Sequence, residues 1–220
     1  MRSGRSRAAE PAGGPWLEPG EVGPSLLLPP PPSLDAAFLP ALEAALEGGG
    51  VAALLLDPAA APASAFEALV AACRERCRKA GCALFLLHDA ARVISTAADG
   101  LLADGPEMVE PARRLLGLER PIGVACGGSR HRAMEAGEAG ADWLLLGDGT
   151  SPSTARELVA WWSELFVLPC AAPCPSAEAA AALVAAGVDF LLPEPSLWRE
   201  PATTLAWLRA GLATASPRTP

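Results

Sequence analysis

Residues 82–108 read CALFLLHDAARVISTAADGLLADGPEM, and this stretch contains two short apolar runs, Ala83–Leu87 and Gly100–Ala103. Each run is followed, directly or within one turn, by polar side chains: His88, Asp89, Asp104 and Glu107. Short continuous apolar runs are typical of strands that are covered on both faces of a parallel sheet. Because parallel strands place their carboxyl ends at one edge, we expect these polar side chains to meet there, where α/β folds carry their chemistry.

A strand followed by a helix recurs about eight times along the chain. The predicted strands are Leu26–Leu28, Val51–Leu56, Ala83–Leu87, Gly100–Ala103, Ile122–Cys126, Trp143–Leu146, Leu168–Ala172 and Phe190–Leu192. The predicted helices are Leu34–Leu46, Ser64–Lys79, a short one through Val93–Ala97, Glu107–Leu116, Arg130–Ala139, Thr154–Leu165, Ala177–Ala186 and Thr203–Leu212. Eight such units favour an α/β fold of the (β/α)8 TIM-barrel type, with a single domain over residues 25–213, since a doubly wound sheet usually has fewer units.

The two ends of the chain lack hydrophobic periodicity. Residues 1–24 are rich in Pro, Gly and Arg and predict a disordered tail, and residues 214–220 predict a loose C-terminal tail. The basic N-terminal segment is not followed by an apolar run, so we do not expect a signal peptide. Pro29–Pro32 predicts a rigid loop after the first strand, with an SH3-type ligand as the alternative.

Composition restricts the classes of function that remain open. The net charge is −8 and Lys79 is the single lysine, so we expect no nucleic-acid partner, because binding to phosphates needs a basic surface. No apolar run approaches the ~20 residues of a membrane span, so we expect no membrane partner. Six cysteines lie in core-like segments and predict buried, reduced thiols in a cytoplasmic protein rather than a metal site.

Candidate ligand-binding residues follow the predicted strands. Carboxylates recur after successive strands, as a Mg²⁺ site built from hard oxygen ligands requires, although an acid at a strand end is more often a helix N-cap than a metal ligand. Gly127, Gly128 and Ser129 open a helix and predict backbone N–H groups for a phosphate with Arg130 adding charge, or simply a tight turn. His88 lies beside Asp89 at the expected mouth and is a candidate catalytic acid or base.

The order of these pieces between Leu26 and Pro201 resembles the thiamine-phosphate synthase/TenI family of small TIM barrels. The family's apolar run followed by Asn-Asp-Arg corresponds to Leu84–Ala90, and its Ala-Asp-Gly-Val-His-Leu-Gly-Gln with an acidic pair to Ala98–Met108. The remaining matches are Ile122–Ala125 for Ile-Gly-Val-Ser, Gly140–Trp143 for Gly-Ala-Asp-Tyr, and Ala186–Phe190 for a later Ala-Gly-Ala-Asp-Gly.

The resemblance implies a definite activity. Family synthases join hydroxymethylpyrimidine diphosphate to a thiazole phosphate and release thiamine phosphate and pyrophosphate, with Mg²⁺ on the diphosphate. By this resemblance Asp89 and Glu107 hold Mg²⁺, and His88 replaces an Asn that helps to hold the diphosphate. Gly127, Gly128, Ser129, Arg130 and Gly147 are the predicted phosphate-binding residues. The expected partners are phosphorylated small molecules.

Several positions depart from the family pattern and predict weakened diphosphate binding. Four segments replace family residues: Ala90 replaces Arg, Ala125 replaces Ser, Pro173-Cys174 replaces Gly-Gly, and Pro193-Glu194-Pro195 replaces a turn of small residues that binds phosphate. Two segments lack family residues: Leu54–Asp57 has no Gln-x-Arg, and Gly149–Ser153 has no lysine. Each lost donor costs on the order of 2–4 kcal/mol of transition-state stabilisation. The alternatives are therefore a non-catalytic barrel that binds a small molecule or protein partner, and a lyase or isomerase that uses His88.

Two adjacent tryptophans, Trp161 and Trp162, lie on one predicted helix and cannot both face the same side. We expect one of them in the core. The other is a candidate contact in a homo-oligomer.

Overall fold

The computed structural model describes residues 24–214, so the predicted tails fall almost entirely outside the described residues. Eight parallel strands close into a barrel in chain order, which confirms the predicted (β/α)8 fold. The strands are β1 Ser25–Leu28, β2 Val51–Leu56, β3 Ala83–Leu87, β4 Gly100–Ala103, β5 Ile122–Gly127, β6 Trp143–Leu146, β7 Cys170–Cys174 and β8 Phe190–Pro193.

One α-helix follows each strand. The helices are α1 Phe38–Leu46, α2 Ala63–Lys79, α3 Ala90–Ser95, α4 Val109–Leu116, α5 Arg130–Glu138, α6 Pro152–Leu165, α7 Ala177–Ala186 and α8 Pro201–Thr214. Short 3₁₀ turns at Pro58–Ala60, Pro106–Met108 and Pro195–Arg199 precede α2, α4 and α8. In the part of the chain that the structure describes, no helix is both long and apolar enough to cross a membrane.

Two element boundaries differ clearly from the sequence prediction. Helix α1 begins at Phe38 rather than Leu34, because the Asp35 carboxylate accepts a hydrogen bond from Ala37 N at 2.8 Å and closes a turn before the helix. Strand β7 begins at Cys170 rather than Leu168. The carbonyl of Leu168 accepts a hydrogen bond from the Trp162 indole at 2.8 Å instead, so this residue closes a loop.

The barrel interior is packed around two large rings. Phe85 and Trp143 are both buried and meet edge to face, with ring centroids 5.8 Å apart. Glycine faces each of them, because a Cβ atom on Gly100 would overlap the Phe85 ring and one on Gly123 would overlap the Trp143 indole. These two glycines make room for aromatic rings that fill the barrel, as side chains fill the interior of a small barrel.

Three aspartates fasten the amino-terminal end of the barrel. Asp99, Asp142 and Asp189 each stand just before a strand and accept a hydrogen bond from the first residues of the strand before it. The donors are Leu84 N at 2.8 Å, Ile122 N at 2.7 Å and Cys170 N at 2.8 Å. The three Ala/Val-Asp repeats that resemble the family pattern are therefore backbone clamps, on the face of the barrel opposite to the strand carboxyl ends.

Several other sequence predictions are confirmed by the packing. All six cysteines are buried and free. Trp162 is buried, whereas Trp161 is half-buried. The loop after β1 that begins at Pro29 is held by the Trp198 indole, whose Nε1 donates to the Pro29 carbonyl at 3.0 Å.

Candidate active site at the barrel mouth

A cavity of about 330 Å³ opens among the carboxyl ends of the strands. Its walls are mainly apolar and consist of Leu55, Leu87, Leu102, Ala125, Leu145 and Leu192, with five prolines from β7, β8 and the loops after β1 and β8. Four ionisable side chains also line it: His88, Asp104, Asp148 and Glu194. A small apolar cavity with a few polar groups at the mouth of a TIM barrel is the usual form of a ligand site in this fold.

His88 and Asp104 form the central polar pair of the mouth. The imidazole Nδ1 lies 2.6 Å from Asp104 Oδ1. The His88 backbone has φ +66, and a tight turn closes there because Asp89 N donates to the Leu87 carbonyl at 2.8 Å. A left-handed conformation is uncommon for a residue other than glycine and is often found at functional sites. The two side chains meet at one edge as the sequence predicted.

Asp89 is turned away from this cavity. One carboxylate oxygen accepts a hydrogen bond from Arg92 N at 3.0 Å and so caps α3, while the other lies 3.3 Å from Arg92 Nε. Asp89 lines a separate cleft of about 550 Å³ outside the barrel, between the loop after β3 and helix α4. The helix-capping alternative for this residue is therefore confirmed, although its carboxylate remains partly exposed.

The side-chain ends of Glu107 and Arg132 both lie against the backbone of Gly105. A Cβ atom on Gly105 would overlap both the Glu107 carboxylate and the Arg132 guanidinium, so the ends of these two side chains lie close to the backbone of the loop after β4. Arg132 Nη2 donates to the Asp104 carbonyl at 2.6 Å and to the Ala125 carbonyl at 3.5 Å. This arginine was missed by the sequence analysis and is the cation that reaches the loop after β4.

The signal that could have found Arg132 is helical periodicity. Arg130, which directly follows the Gly127–Ser129 turn in sequence, stacks on the Trp161 ring in the outer layer of helices, with 4.9 Å between its guanidinium carbon and the ring centroid. Two positions along a helix differ by about 200° in direction. Once Arg130 is placed outward, Arg132 must point towards the strand ends.

The predicted phosphate-binding glycines come together. Gly147 N donates to the Gly127 carbonyl at 2.8 Å, so the loops after β5 and β6 are in contact, and Gly128 faces Thr150 across this junction. Gly147 has φ +80, and a Cβ there would overlap Ala155. Ser129 is used to cap α5, since its Oγ accepts a hydrogen bond from Arg132 N at 3.2 Å. The glycine turn thus exists, whereas Arg130 lies apart from it.

Three carboxylates near the barrel mouth are candidate ligands for Mg²⁺. Asp104 and Glu107 are exposed and Asp89 is half-buried, and all three are carboxylates that follow two neighbouring strands. Carboxylate oxygens are the ligands that this hard cation prefers. Between residues 24 and 214, no group of three or more His, Cys, Asp or Glu side chains is gathered tightly enough to hold a metal. The residue types suit Mg²⁺, but neither Asp89 nor Glu107 lines the mouth cavity, so their role as Mg²⁺ ligands stays a prediction.

The mouth carries no cationic wall. Among the described residues that line the cavity there is no lysine or arginine, whereas Pro173, Pro193 and Pro195 belong to the lining. Proline has no N–H group to donate. The structure thus brings together acids and apolar groups at the mouth, with Arg132 bound to backbone carbonyls beside it.

Comparisons with known proteins agree with this architecture. The family model described as thiamine monophosphate synthase matches residues 27–191. A thiamine-phosphate synthase of Rhodospirillum centenum is 37% identical over 188 residues, which cover 80% of this chain and 90% of that protein. A thiamine-phosphate synthase of Hyphomonas neptunium is 35% identical over 200 residues, covering 84% and 90%.

Solved structures show the same fold at lower identity. Thiamine phosphate pyrophosphorylase from Pyrococcus furiosus superposes with a TM-score of 0.72 at 22% identity, covering 86% of this chain and 95% of that one. The family match and the two curated relatives extend over nearly the whole barrel. The chain therefore belongs to the thiamine monophosphate synthase family.

Proposed function

We propose that the chain is a transferase that joins hydroxymethylpyrimidine diphosphate to a thiazole phosphate at the barrel mouth. The observation that carries the proposal is the continuous family match over residues 27–191, with the cavity and its carboxylates at the carboxyl ends of the matched strands. In this reaction the bond between the pyrimidine methylene and the diphosphate oxygen breaks, and the thiazole nitrogen forms a new bond to that methylene. Pyrophosphate leaves with the electron pair.

The residues at the mouth suggest how the chain would assist this reaction. The six apolar wall residues exclude water from an electron-poor methylene group, which water would otherwise hydrolyse. His88 and Asp104 form a fixed polar pair 2.6 Å apart that can orient a heterocycle. Asp89 and Glu107 are the residues that would hold Mg²⁺, and this ion, when bound, supplies neutralisation of the leaving diphosphate.

The lining also indicates that such turnover is slow. Each missing cationic or N–H donor removes on the order of 2–4 kcal/mol of transition-state stabilisation from a leaving diphosphate. Arg132 is the nearest cation described at the loop after β4, and its guanidinium already donates to the Asp104 carbonyl. We therefore expect a rate well below that of a site with a complete cationic clamp.

Complementation of a thiamine auxotroph, together with product formation by the purified protein, tests the proposal. We expect growth and Mg²⁺-dependent formation of thiamine phosphate. Asp89→Asn should lower turnover at least tenfold while keeping the helix cap, because Asn caps as well as Asp. Glu110→Gln, which alters an exposed carboxylate on α4, is the matched control and should leave turnover unchanged. A folded protein that neither complements nor turns over substrate contradicts the proposal.

A second candidate is a non-catalytic barrel that binds a small molecule. The observation that favours it is the lining of the cavity, where acids and prolines occupy positions that a diphosphate would need for its donors. On this alternative, ligand binding is measurable although no product forms under any condition.

A further inference from the structure

Helices α5 and α6 carry an apolar patch on the outer surface of the barrel, away from the mouth. Four large apolar side chains are exposed there: Met134, Leu165, Phe166 and Val167. Trp161 is half-buried beside them, and its ring centroid lies 5.6 Å from that of Phe166. Leu165 lies one turn after Trp161 on α6, and Met134 lies one turn after Arg130, which stacks on Trp161. These five apolar residues, which we call the α5–α6 patch, are therefore contiguous.

The loop at the centre of the α5–α6 patch is held by contacts on both sides of Val167. The Phe166 ring stacks on the Trp162 indole with centroids 4.0 Å apart, and Phe166 N donates to the Trp162 carbonyl at 2.9 Å. On the other side, the Trp162 indole donates to the Leu168 carbonyl at 2.8 Å. A fully exposed valine is thus presented on an ordered loop. Binding to a surface that is already ordered costs less conformational entropy.

The size and composition of the α5–α6 patch fit an interface between two proteins. Its exposed apolar surface is on the order of 400 Å², which approaches the apolar share of the roughly 800 Å² that each partner buries in a stable complex. Aromatic residues, Met and Arg are the residue types enriched in such interfaces. On α1, α2 and α7, by contrast, the described residues include no exposed large apolar side chain. The patch is therefore a feature of one side of the barrel.

The charges at the two ends of the patch are opposite. Arg130 is the first residue of α5, whereas Glu138 is the last residue of α5 and Glu164 lies in the last turn of α6. When two copies pack with these helices antiparallel, Arg130 of each copy meets the acidic end of the other. Helices packed parallel would bring the acidic ends of both copies together, which is repulsive. The charges therefore favour an antiparallel arrangement of two identical patches.

We propose that the α5–α6 patch binds a second copy of this chain, forming a homodimer in which the α5 and α6 helices of the two copies pack antiparallel about a two-fold axis. A two-fold interface is self-complementary, as this patch is: apolar surface meets apolar surface, and Arg130 lies near Glu138 of the second copy. The two barrel mouths then point in opposite directions, so both sites stay open. The proposal does not depend on which reaction the mouth carries out.

Sedimentation equilibrium of the full chain at micromolar concentrations tests the proposal. We expect twice the mass of the 22.5 kDa chain. Val167→Glu should raise the dimer dissociation constant at least tenfold, because it places an unpaired charge in the interface. It should leave folding intact, since the side chain is fully exposed in the single chain. Ile94→Glu changes an exposed apolar residue on α3, outside the patch, and is the matched control that should leave the dissociation constant unchanged.

A charge exchange tests the antiparallel arrangement separately. Arg130→Glu should weaken the dimer about threefold, as expected for an exposed pair that becomes repulsive. Adding Glu138→Arg to this variant should restore the affinity, because the pair is then reversed rather than lost. Restoration by the second substitution distinguishes a contact between copies from a local effect of Arg130 on the Trp161 ring.

Four results overturn the inference. A wild-type protein that stays monomeric at high micromolar concentration would mean that the second copy is not the occupant of the patch. A dimer that Val167→Glu does not weaken, with folding verified by circular dichroism, or that Ile94→Glu weakens as much, would place the interface elsewhere. A ring or an open assembly with a mass above that of a dimer would contradict the two-fold packing. Failure of Glu138→Arg to restore the affinity of Arg130→Glu would contradict the antiparallel arrangement.

Discussion

His88 makes a polar contact at the mouth, and its backbone has a left-handed conformation that is unfavourable for any residue with a Cβ atom. Its φ of +66 places Cβ close to the following carbonyl, which costs roughly 1–2 kcal/mol for a residue other than glycine. His88→Gly and His88→Ala both remove the contact with Asp104, but only glycine relieves the backbone. We therefore expect the glycine variant to be more stable than the alanine variant by about 1 kcal/mol in free energy of unfolding, measured in urea.

Two neighbouring alanines serve as controls for this backbone effect. Ala97 has φ +53, so Ala97→Gly should also stabilise the protein by about 1 kcal/mol. Ala91 lies within α3, where glycine should cost about 1 kcal/mol instead. If the glycine and alanine variants at position 88 are equally stable while Ala97→Gly behaves as expected, strain at His88 is excluded. Ligand affinity should fall in both variants at position 88.

The side chains at the mouth could be placed on one edge from the sequence, but their pairing could not. Apolar runs that end at His88 and Asp104 are sufficient to bring both to the carboxyl ends of adjacent strands. The choice of Asp104 rather than Asp89 as the partner of His88 follows from the left-handed turn at His88. No pattern of residue types specifies that turn, because histidine rarely adopts it.

At the scale of elements, the aspartate before β6 joins three parts of the barrel. Asp142 Oδ2 accepts hydrogen bonds from Ile122 N and from Arg113 Nη2, both at 2.7 Å, and its side chain is only 12% exposed. Asp142→Ala leaves the Ile122 N–H without its acceptor and removes the ion-pair partner of Arg113, whose guanidinium keeps its hydrogen bonds to backbone carbonyls. We expect a loss of about 2–3 kcal/mol in free energy of unfolding, measured in urea.

A graded series separates the two contacts of Asp142. Asp142→Asn keeps an acceptor for Ile122 N and loses the ion pair, so it should cost about half as much as Asp142→Ala. For comparison, the exposed pair of Arg76 and Glu43 should contribute between 0 and 1 kcal/mol. Equal losses on removing Asp142 and Glu43 would contradict a special role for the buried clamp.

Most element boundaries could be predicted because apolar runs and glycines mark them. Strands β2, β3, β4 and β6 and helix α7 occur with the residues that the sequence indicates. The misplaced boundaries have causes in side-chain hydrogen bonds and in proline, such as the Asp35 carboxylate that closes a turn before α1. Leu168 looks like strand, yet its carbonyl is taken by the Trp162 indole, and Pro106–Met108 forms a 3₁₀ turn before α4 begins at Val109.

At the scale of the whole molecule, the barrel closes around two hydrophobic clusters, and the pattern of apolar residues in the sequence predicts both of them. Continuous apolar strands and alanine-rich helices are sufficient to predict an inner and an outer layer of packing. The character of the mouth is less predictable, because it depends on which loop side chains turn inward. Asp148 and Glu194 became part of the site only when the loops after β6 and β8 were placed around the cavity.

Four of the buried cysteines should control the stability of the whole molecule in alkali. Burial raises the pKa of the Cys126, Cys170 and Cys174 thiols from 9.0 to about 12, and burial together with Cys77 does the same for Cys73. Above pH 9 the unfolded chain therefore releases protons that the native barrel keeps, so the free energy of unfolding falls as pH rises from about 9 towards 12. Each such thiol contributes up to ~1.4 kcal/mol per pH unit in this range.

The composition makes this alkaline transition unusually easy to assign. The chain contains no tyrosine and a single lysine, Lys79, whose side chain is 69% exposed on α2. Urea titrations at pH 8 and pH 10 in the presence of reductant should show a marked loss of stability at pH 10, and Lys79→Gln should leave that loss unchanged. In parallel, a thiol reagent at pH 8 should react only slowly with the native protein, because all six cysteines are buried. In denaturant the same reagent should react with all six thiols. A stability that is equal at pH 8 and pH 10 would contradict the prediction, because the thiols would then ionise in the native barrel as readily as in the unfolded chain.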